Sequence, residues 1–342
     1  MKKYVLFNDT RMRSNNAGGK AGRDAVAIAC SAGYAPFRLY STGERTRPAD
    51  LAAGLINALR LAAELRKGDI VLVQYPMNRE LMKLLYRLLN RRGAHVVTLI
   101  HDIDYLRDVP RRLGGVDGMR ELELALLSQS EYLICHNPSM IAELRHRGIE
   151  SKCVSLELFD YLYDGGDAAN TGDNTVIVAG NLAKAKAGYL YKLHGECRLA
   201  LFGSNLDEGF TNDKAEYYGS FPPDVLIENL KGDYGLVWDG DETETCAGPY
   251  GEYLRYNDPH KASLYLAAGL PVIVWKQSAL YPLVDEHGIG VGVDSLAELG
   301  GVLRSRDYRE MKENVMRFRD RVRGGGFLTR CLTEIEKGIQ SV

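Results

Sequence analysis

Asp258-Pro259-His260-Lys261-Ala262-Ser263-Leu264-Tyr265-Leu266-Ala267-Ala268-Gly269-Leu270-Pro271-Val272-Ile273-Val274-Trp275 is the stretch on which the fold turns. Asp258 is suited to cap a helix and Pro259 to open one, because a first-turn residue has no use for its missing N–H. The run from Pro259 to Ala268 is helical in composition. Gly269-Leu270-Pro271 stops it and feeds a wholly apolar, β-branched strand up to Trp275. A short helix running straight into a strand with no polar face is half of a βαβ unit in a parallel sheet covered on both sides.

The same alternation extends both ways. Upstream, strands are expected at Thr175-Ala179, Arg198-Phe202 and Gly235-Trp238, with a helix at Pro223-Leu230. Downstream come a strand at Gly290-Val293 and a helix at Ser295-Arg304, which opens with a capping box of Ser295 and Glu298. The first half repeats the pattern. Its strands read as Tyr4-Phe7, Phe37-Tyr40, Ile70-Gln74, Val96-Ile100, Tyr132-Cys135 and Cys153-Leu156. Helices lie between them at Gly22-Ala32, Pro48-Arg66, Glu80-Arg92, Met119-Ser128 and Ser139-Arg147, the last capped by Asn137-Pro138. Polar, Gly- and Asp-rich Tyr163 to Asn174 separates the halves. The expected fold class is therefore α/β, with two Rossmann-like doubly wound domains facing across a cleft. Residues 1–162 form the first domain, 163–174 the linker and 175–307 the second, with a helical tail over 308–342 packing back on the first.

The chain has 342 residues, 45% of them apolar, and a net charge of −2, which excludes a protein that grips nucleic acid through its phosphates. Arg11-Arg13, Arg91-Arg92 and Arg111-Arg112 read first as solvated faces and second as anionic-ligand or peripheral membrane contacts. The start has no h-region, and no apolar run approaches the ~20 residues of a spanning helix. The six cysteines are scattered with no CxxC pair; five lie in apolar or helical contexts that suit small buried hydrophobes, and the cytoplasm is the compartment that fits.

At the start of the 259–268 helix, His260, Lys261 and Ser263 join exposed N–H groups and the positive end of the helix dipole, a site for a diphosphate. The bland alternative is a well-capped structural helix with an exposed lysine. Asn15-Asn16-Ala17-Gly18-Gly19-Lys20-Ala21 looks like a phosphate loop but lacks the first Gly and the Ser/Thr of GxxxxGK[ST]. It is read as a cleft loop or a turn before a helix. Asp102-Ile103-Asp104 and Asp239-Gly240-Asp241 imitate a metal-binding DxD, a pattern common by chance. Asp9, His101, Asp102 and Asp104 follow first-domain strands and are candidates for the base that takes an acceptor hydroxyl proton; His101 and Asp102 are preferred.

The ordered set Gln74-Tyr75-Pro76, Ile100-His101-Asp102-Ile103, Gly180-Asn181-Leu182-Ala183-Lys184, Trp238-Asp239-Gly240-Asp241 and Cys246 to Tyr253, followed by KxxxxxAxGxPVI from Lys261, resembles the bacterial nucleotide-sugar glycosyltransferases of the streptococcal adhesin glucosyltransferase 3 type. Galactofuranosyltransferases of polysaccharide assembly are similar. The match runs from Asn8 to about Leu328. The resemblance implies a GT-B fold, a UDP-sugar donor substrate and no cofactor or essential metal. It further implies inversion at the sugar, a homo-oligomer (tetramer or dimer), and a saccharide, glycopeptide or lipid-linked glycan acceptor. On it, Gly180, Asn181, Lys184, Asp239, Tyr250, Asn257, His260, Lys261 and Ser263 hold the donor, while Asp9, Gly18, Gly19 and Lys20 border the acceptor. Leu264 stands where many retaining relatives carry a ribose-binding Glu. A UDP-sugar 2-epimerase and a non-catalytic partner subunit of a transferase complex are the rival readings.

Overall fold

A computed structural model of the chain describes residues 1–10, 17–42, 47–107, 115–193, 197–305 and 307–341, the side chains of 9, 10, 17, 18, 42 and 115–117 excepted. Arg11-Arg13, Arg111-Arg112, Asn15 and Asn16 lie outside the described residues. The chain divides into two compact units, one of residues 1–13, 22–156 and 327–342 and another of 14–21 and 157–326.

In the first unit β1 (Lys3–Thr10), α1 (Ala17–Ser31), β2 (Ala35–Thr42), α2 (Pro48–Glu64), β3 (Ile70–Tyr75), α3 (Arg79–Arg91), β4 (His95–Ile100), α4 (Gly115–Leu127), β5 (Tyr132–Cys135), α5 (Pro138–His146) and β6 (Lys152–Ser155) alternate strictly. The sheet is parallel in the order β2-β1-β3-β4-β5-β6. Every residue of β3 is buried, as a strand sandwiched between helix layers requires. Asn137 caps α5 as its sequence demands, accepting from the Met140 N–H at 3.0 Å. α1 starts at Ala17, so Gly18, Gly19 and Lys20 sit in its first turn. This corrects the expectation of a loop up to Gly22: a first turn tolerates glycine because its N–H groups need no helical partner.

The second unit contains β7 (Val176–Asn181), α6 (Lys184–Ala187), β8 (Leu199–Ser204), β9 (Ala215–Gly219), α7 (Pro223–Asn229), β10 (Tyr234–Val237), α8 (Gly248–Tyr253), α9 (His260–Ala267), β11 (Val272–Trp275), α10 (Tyr281–His287), β12 (Gly290–Val293), α11 (Leu299–Ser305) and α12 (Tyr308–Arg323). α13 (Gly326–Gln340) returns to the first unit. The second sheet, also parallel, runs β12-β11-β10-β7-β8-β9. Strand order reverses between β7 and β10, so a crevice opens at their carboxyl ends, the general ligand position of such sheets. The capping box at Ser295 and Glu298 is present, though it opens a 3₁₀ turn ahead of α11.

Two segments fall differently from the sequence reading. The polar stretch 163–174 is bonded into the second unit: Asp233 accepts from the Thr171, Gly172 and Thr175 N–H groups at 3.0, 2.9 and 3.2 Å. Asp167 meanwhile holds Arg319 and Arg323 at 2.7 and 2.8 Å. The 308–342 tail divides at its glycines. α12 stays with the second unit, where Lys312 donates to the Gly269 carbonyl at 2.5 Å, and α13 alone joins the first.

Candidate functional site

The switch-point crevice of the second unit is built from three strand-end loops. β7 ends on Gly180-Asn181, and Gly180 adopts φ +136°. Its neighbour on β8, Gly203, lies so close that a Cβ there would fall 1.7 Å from the Gly180 carbonyl oxygen. The Asn181 side-chain oxygen accepts from the Ala183 N–H at 3.1 Å and from Asn205 at 2.9 Å, which fixes the turn that starts α6. The Gly240 N–H donates to the Lys186 carbonyl at 2.8 Å, and the Tyr189 N–H to the Gly240 carbonyl at 3.3 Å, zipping the β7 and β10 loops together. A Cβ on Gly240, at φ +113°, would strike the Ala247 carbonyl oxygen at 2.3 Å. From α9, the buried Tyr265 hydroxyl accepts the Ala179 N–H at 2.7 Å and ties that helix to β7.

Charge concentrates here. The Lys261 ammonium donates to the Trp238 carbonyl and to the Asp239 carboxylate, both at 2.7 Å. Lys186 lies 3.8 Å from the same carboxylate, with its ammonium 5.6 Å from the Tyr250 ring centre. Exposed Lys184 stands 5.3 Å from the Tyr191 ring centre. Burial pushes the Lys261 ammonium below its usual range, while the Asp239 charge opposes that shift. Two ammonium groups, Lys261 and Lys186, thus face the one Asp239 carboxylate, and Lys184 and Lys186 on the turn after β7 are within reach of solvent.

Several expected donor residues take positions that their spacing did not foretell. α9 is capped by Pro259, whose extended ψ of 137° and carbonyl bonded to the Ala262 N–H at 2.8 Å place the helix start at His260. Asp258 is therefore buried one residue outside the cap, which corrects its assignment as N-cap. His260 turns toward the 157–161 segment, stacking on Tyr161 at 5.2 Å and donating from Nε2 to the Asp160 carbonyl at 3.3 Å. Asp239 is the counter-ion of Lys261 and Lys186. Ser263 is fully buried, and its hydroxyl and the Asn257 side-chain oxygen find no hydrogen-bond partner among the described residues. Both have unused polar capacity. Lys186 was not singled out, although its spacing of two from Lys184 on a strand-end turn was the available signal. Lys20, expected at the acceptor, donates to the Leu162 carbonyl at 2.8 Å with its ammonium 4.4 Å from the Tyr161 ring centre.

In the first unit, the ends of β3 and β4 gather the base candidates. The Gln74 amide donates to the Leu6 carbonyl at 3.2 Å, so its oxygen faces His101 Nε2 at 2.9 Å. That bond places the proton on Nε2 and makes Nδ1 the basic nitrogen of the neutral ring. Burial lowers His101 to about 4, so the ring is neutral at pH 7. Asp102 pairs with Arg107 at 3.0 Å and Asp104 with Arg79 at 3.0 Å. Each carboxylate of the 102–104 pair thus faces its own guanidinium. Among the described residues no group of three or more His, Cys, Asp or Glu side chains is arranged to hold a metal ion. Beneath the turn, fully buried Glu123 accepts from the Tyr75 hydroxyl at 2.5 Å and from the Tyr105 N–H at 2.7 Å. Burial raises that carboxyl while the bonds hold it down. This brace fixes the His101-Asp102 turn, and the distance in sequence from Tyr75 to Glu123 hid it. Asp9 lies at the end of β1, opposite Ser41 in register.

Residues 3–158 match the family model described as the glucosyltransferase 3-like N-terminal domain, and residues 176–335 the corresponding C-terminal domain. A β-1,6-galactofuranosyltransferase, WbbI, of Escherichia coli K12 is 32% identical over 96% of this chain and 97% of its own length. Glucosyltransferase 3 of Streptococcus gordonii is 27% identical over 80% of this chain and 81% of its own. In fold, sucrose-phosphate synthase of Thermosynechococcus elongatus superposes with a TM-score of 0.61 at 12% identity, covering 99% of this chain and all of that one. A glycosyltransferase of Rickettsia africae reaches 0.56 at 12% identity, with 99% of each chain covered. Two six-stranded parallel sheets in this order, with these matches across nearly the whole length, give a GT-B fold, and the chain belongs to the glucosyltransferase 3-like family of glycosyltransferases.

Proposed function

We propose that the chain transfers a hexose, glucose or galactofuranose, from a UDP-sugar to a saccharide acceptor without a metal ion and with inversion. The observation that carries the donor half is the strand-end cluster at the switch point, in which Lys186 and Lys261 both face the Asp239 carboxylate and exposed Lys184 stands on the same turn as Lys186. A diphosphate leaving group develops negative charge as the sugar departs, and preorganised ammonium groups stabilise it in place of a divalent ion. The hexose is carried over from the relatives, which are named for glucosyl and galactofuranosyl transfer, and the uridine rests on the motif resemblance of the sequence.

In this reaction the acceptor oxygen forms a bond to the anomeric carbon as the carbon–oxygen bond to the diphosphate breaks. The electron pair leaves with the diphosphate, and the acceptor proton passes to the base. We place that base in the His101–Asp102 turn, where a neutral imidazole and a carboxylate sit side by side at a strand end braced by Glu123. The acceptor is a glycan on protein, on lipid or free, and the active species is a homo-oligomer.

The test is calorimetric titration with UDP in EDTA, beside ADP and GDP. UDP-selective binding that EDTA leaves intact supports the reading. Binding that appears only on adding Mn²⁺ overturns the metal-free donor site. Incubation of UDP-sugars without acceptor separates transfer from isomerisation, since only an epimerase converts the sugar while it stays on UDP.

A further inference from the structure

The outer face of α2 breaks the usual pattern of a solvent-facing helix. Leu55, Ile56 and Leu59 are 42%, 64% and 50% exposed, and Ala52 and Ala63 extend the same stripe one turn each way. Spacings of three and four put these residues on one side of the helix, opposite the buried Gly54, Ala58 and Leu61. α2 and α3 connect successive parallel strands in the same sense, so right-handed crossovers place both on one face of the sheet. They are in contact: a Cβ on Gly54 would lie 2.7 Å from Leu81 of α3. The outward face of α3 carries Lys83, Arg87 and Arg91, also at helical spacing, and Arg60, Arg66, Lys67 and Arg92 complete the rim at the end of α2 and the end of α3. Among the described residues of α2 and α3 the exposed acids are Glu64 and Glu80, each already paired with a neighbouring cation. A chain with a net charge of −2 thus presents, among the described residues of α2, α3 and the residues just after them, seven exposed cations against two acids beside its apolar stripe.

We propose that the α2–α3 face docks on an anionic lipid bilayer, with Leu55, Ile56 and Leu59 entering the headgroup–acyl boundary and the arginines and lysines engaging lipid phosphates. An interfacial helix needs this pairing of an apolar stripe with a cationic border, and long basic side chains reach sideways to the headgroups while their stems follow the apolar surface. Charge complementarity selects the occupant. A second copy would bring an equally cationic face, and three half-exposed aliphatic side chains fall short of the ~800 Å² per partner that a stable interface buries. The inference concerns this surface alone and stands whichever sugar is transferred.

The test is co-sedimentation of the full chain with vesicles of phosphatidylcholine alone and of equal parts phosphatidylcholine and phosphatidylglycerol. The expected result is binding to the anionic vesicles at least about tenfold tighter than to the neutral ones, weakened by salt. L55S/I56S/L59S and, separately, R87E/R91E should each lose about tenfold or more of that binding with the far-ultraviolet circular dichroism unchanged. The arginine pair keeps the test sound if the triple variant fails to fold. Equal binding by wild type and both variants, or binding indifferent to lipid charge, overturns the proposal. A triple variant that changes oligomeric state while vesicle binding persists would give the face to a second copy and overturn it as well.

Discussion

Replacing Lys261 by methionine removes an ammonium that makes two 2.7 Å bonds, one to the Asp239 carboxylate and one to the Trp238 carbonyl. The pair is secluded, with 13% of the lysine side chain and 8% of the aspartate exposed. Breaking one partner of a buried pair costs about 3–5 kcal/mol, because the remaining charge is left without compensation. Lys186 at 3.8 Å offsets part of that, which sets the expected loss near the lower limit, about 3 kcal/mol. For a unit of this size each kcal/mol moves Tm by ~2–4 °C, so the variant should melt roughly 6–12 °C below wild type. Adding D239N removes the stranded charge. K261M/D239N should therefore melt above K261M, with a coupling of about 2 kcal/mol. Scanning calorimetry of the four proteins of the cycle reads this directly. Additive losses, with the double variant melting below K261M by the full D239N increment, would refute the view that Lys261 and Asp239 are one electrostatic unit. In that case Lys261 acts independently of Asp239, and the effect of K261M on UDP affinity should be the same in the D239N background.

Lys186→Met should weaken UDP about tenfold or more by calorimetric titration, the worth of one charge-assisted bond, while Tm stays near wild type because its 3.8 Å pairing is loose. Asp102→Asn and His101→Ala, assayed side by side, should separate the base from its neighbour: the true base loses about 10²–10⁴-fold in kcat with UDP affinity intact. Loss of neither rate moves the base out of this turn. Buried His136, held down to about 3 by burial and the nearby His101, takes up its proton more readily when unfolded, at about 6.5. Its contribution is complete above the unfolded value and drains away as pH falls toward 3, roughly 2 kcal/mol of it by pH 5. Denaturant melts at pH 7 and pH 5 should show that loss together with a similar one from His101, and His136→Gln should remove about half of the total.

The strand–helix alternation of both halves, the N-cap at Asn137 and the capping box at Ser295 were legible in the residues, because a doubly covered parallel strand must be apolar on both faces and a helix start must satisfy its own N–H groups. β9 was not legible. It is an edge strand, Ala215 to Gly219, with half-exposed tyrosines and no apolar run. The donor residues were found as types and as strand-end positions, but their partners were not. That Lys261 faces Asp239, that His260 stacks on Tyr161, and that Glu123 braces the turn after β4 are contacts across 22, 99 and 18 or more residues of sequence. Local pattern fixes which way a side chain points along its own helix or strand. Which other element meets it depends on strand order and crossover hand, and those are decided by packing of the whole sheet. The sequence by itself therefore determined the alternation, the fold class and the cationic character of the second unit's strand-end loops. Only the tertiary structure decided where α9 starts, to which unit α12 and the 163–174 stretch belong, and which lysines are already neutralised, because each of these rests on pairing between groups distant in the chain.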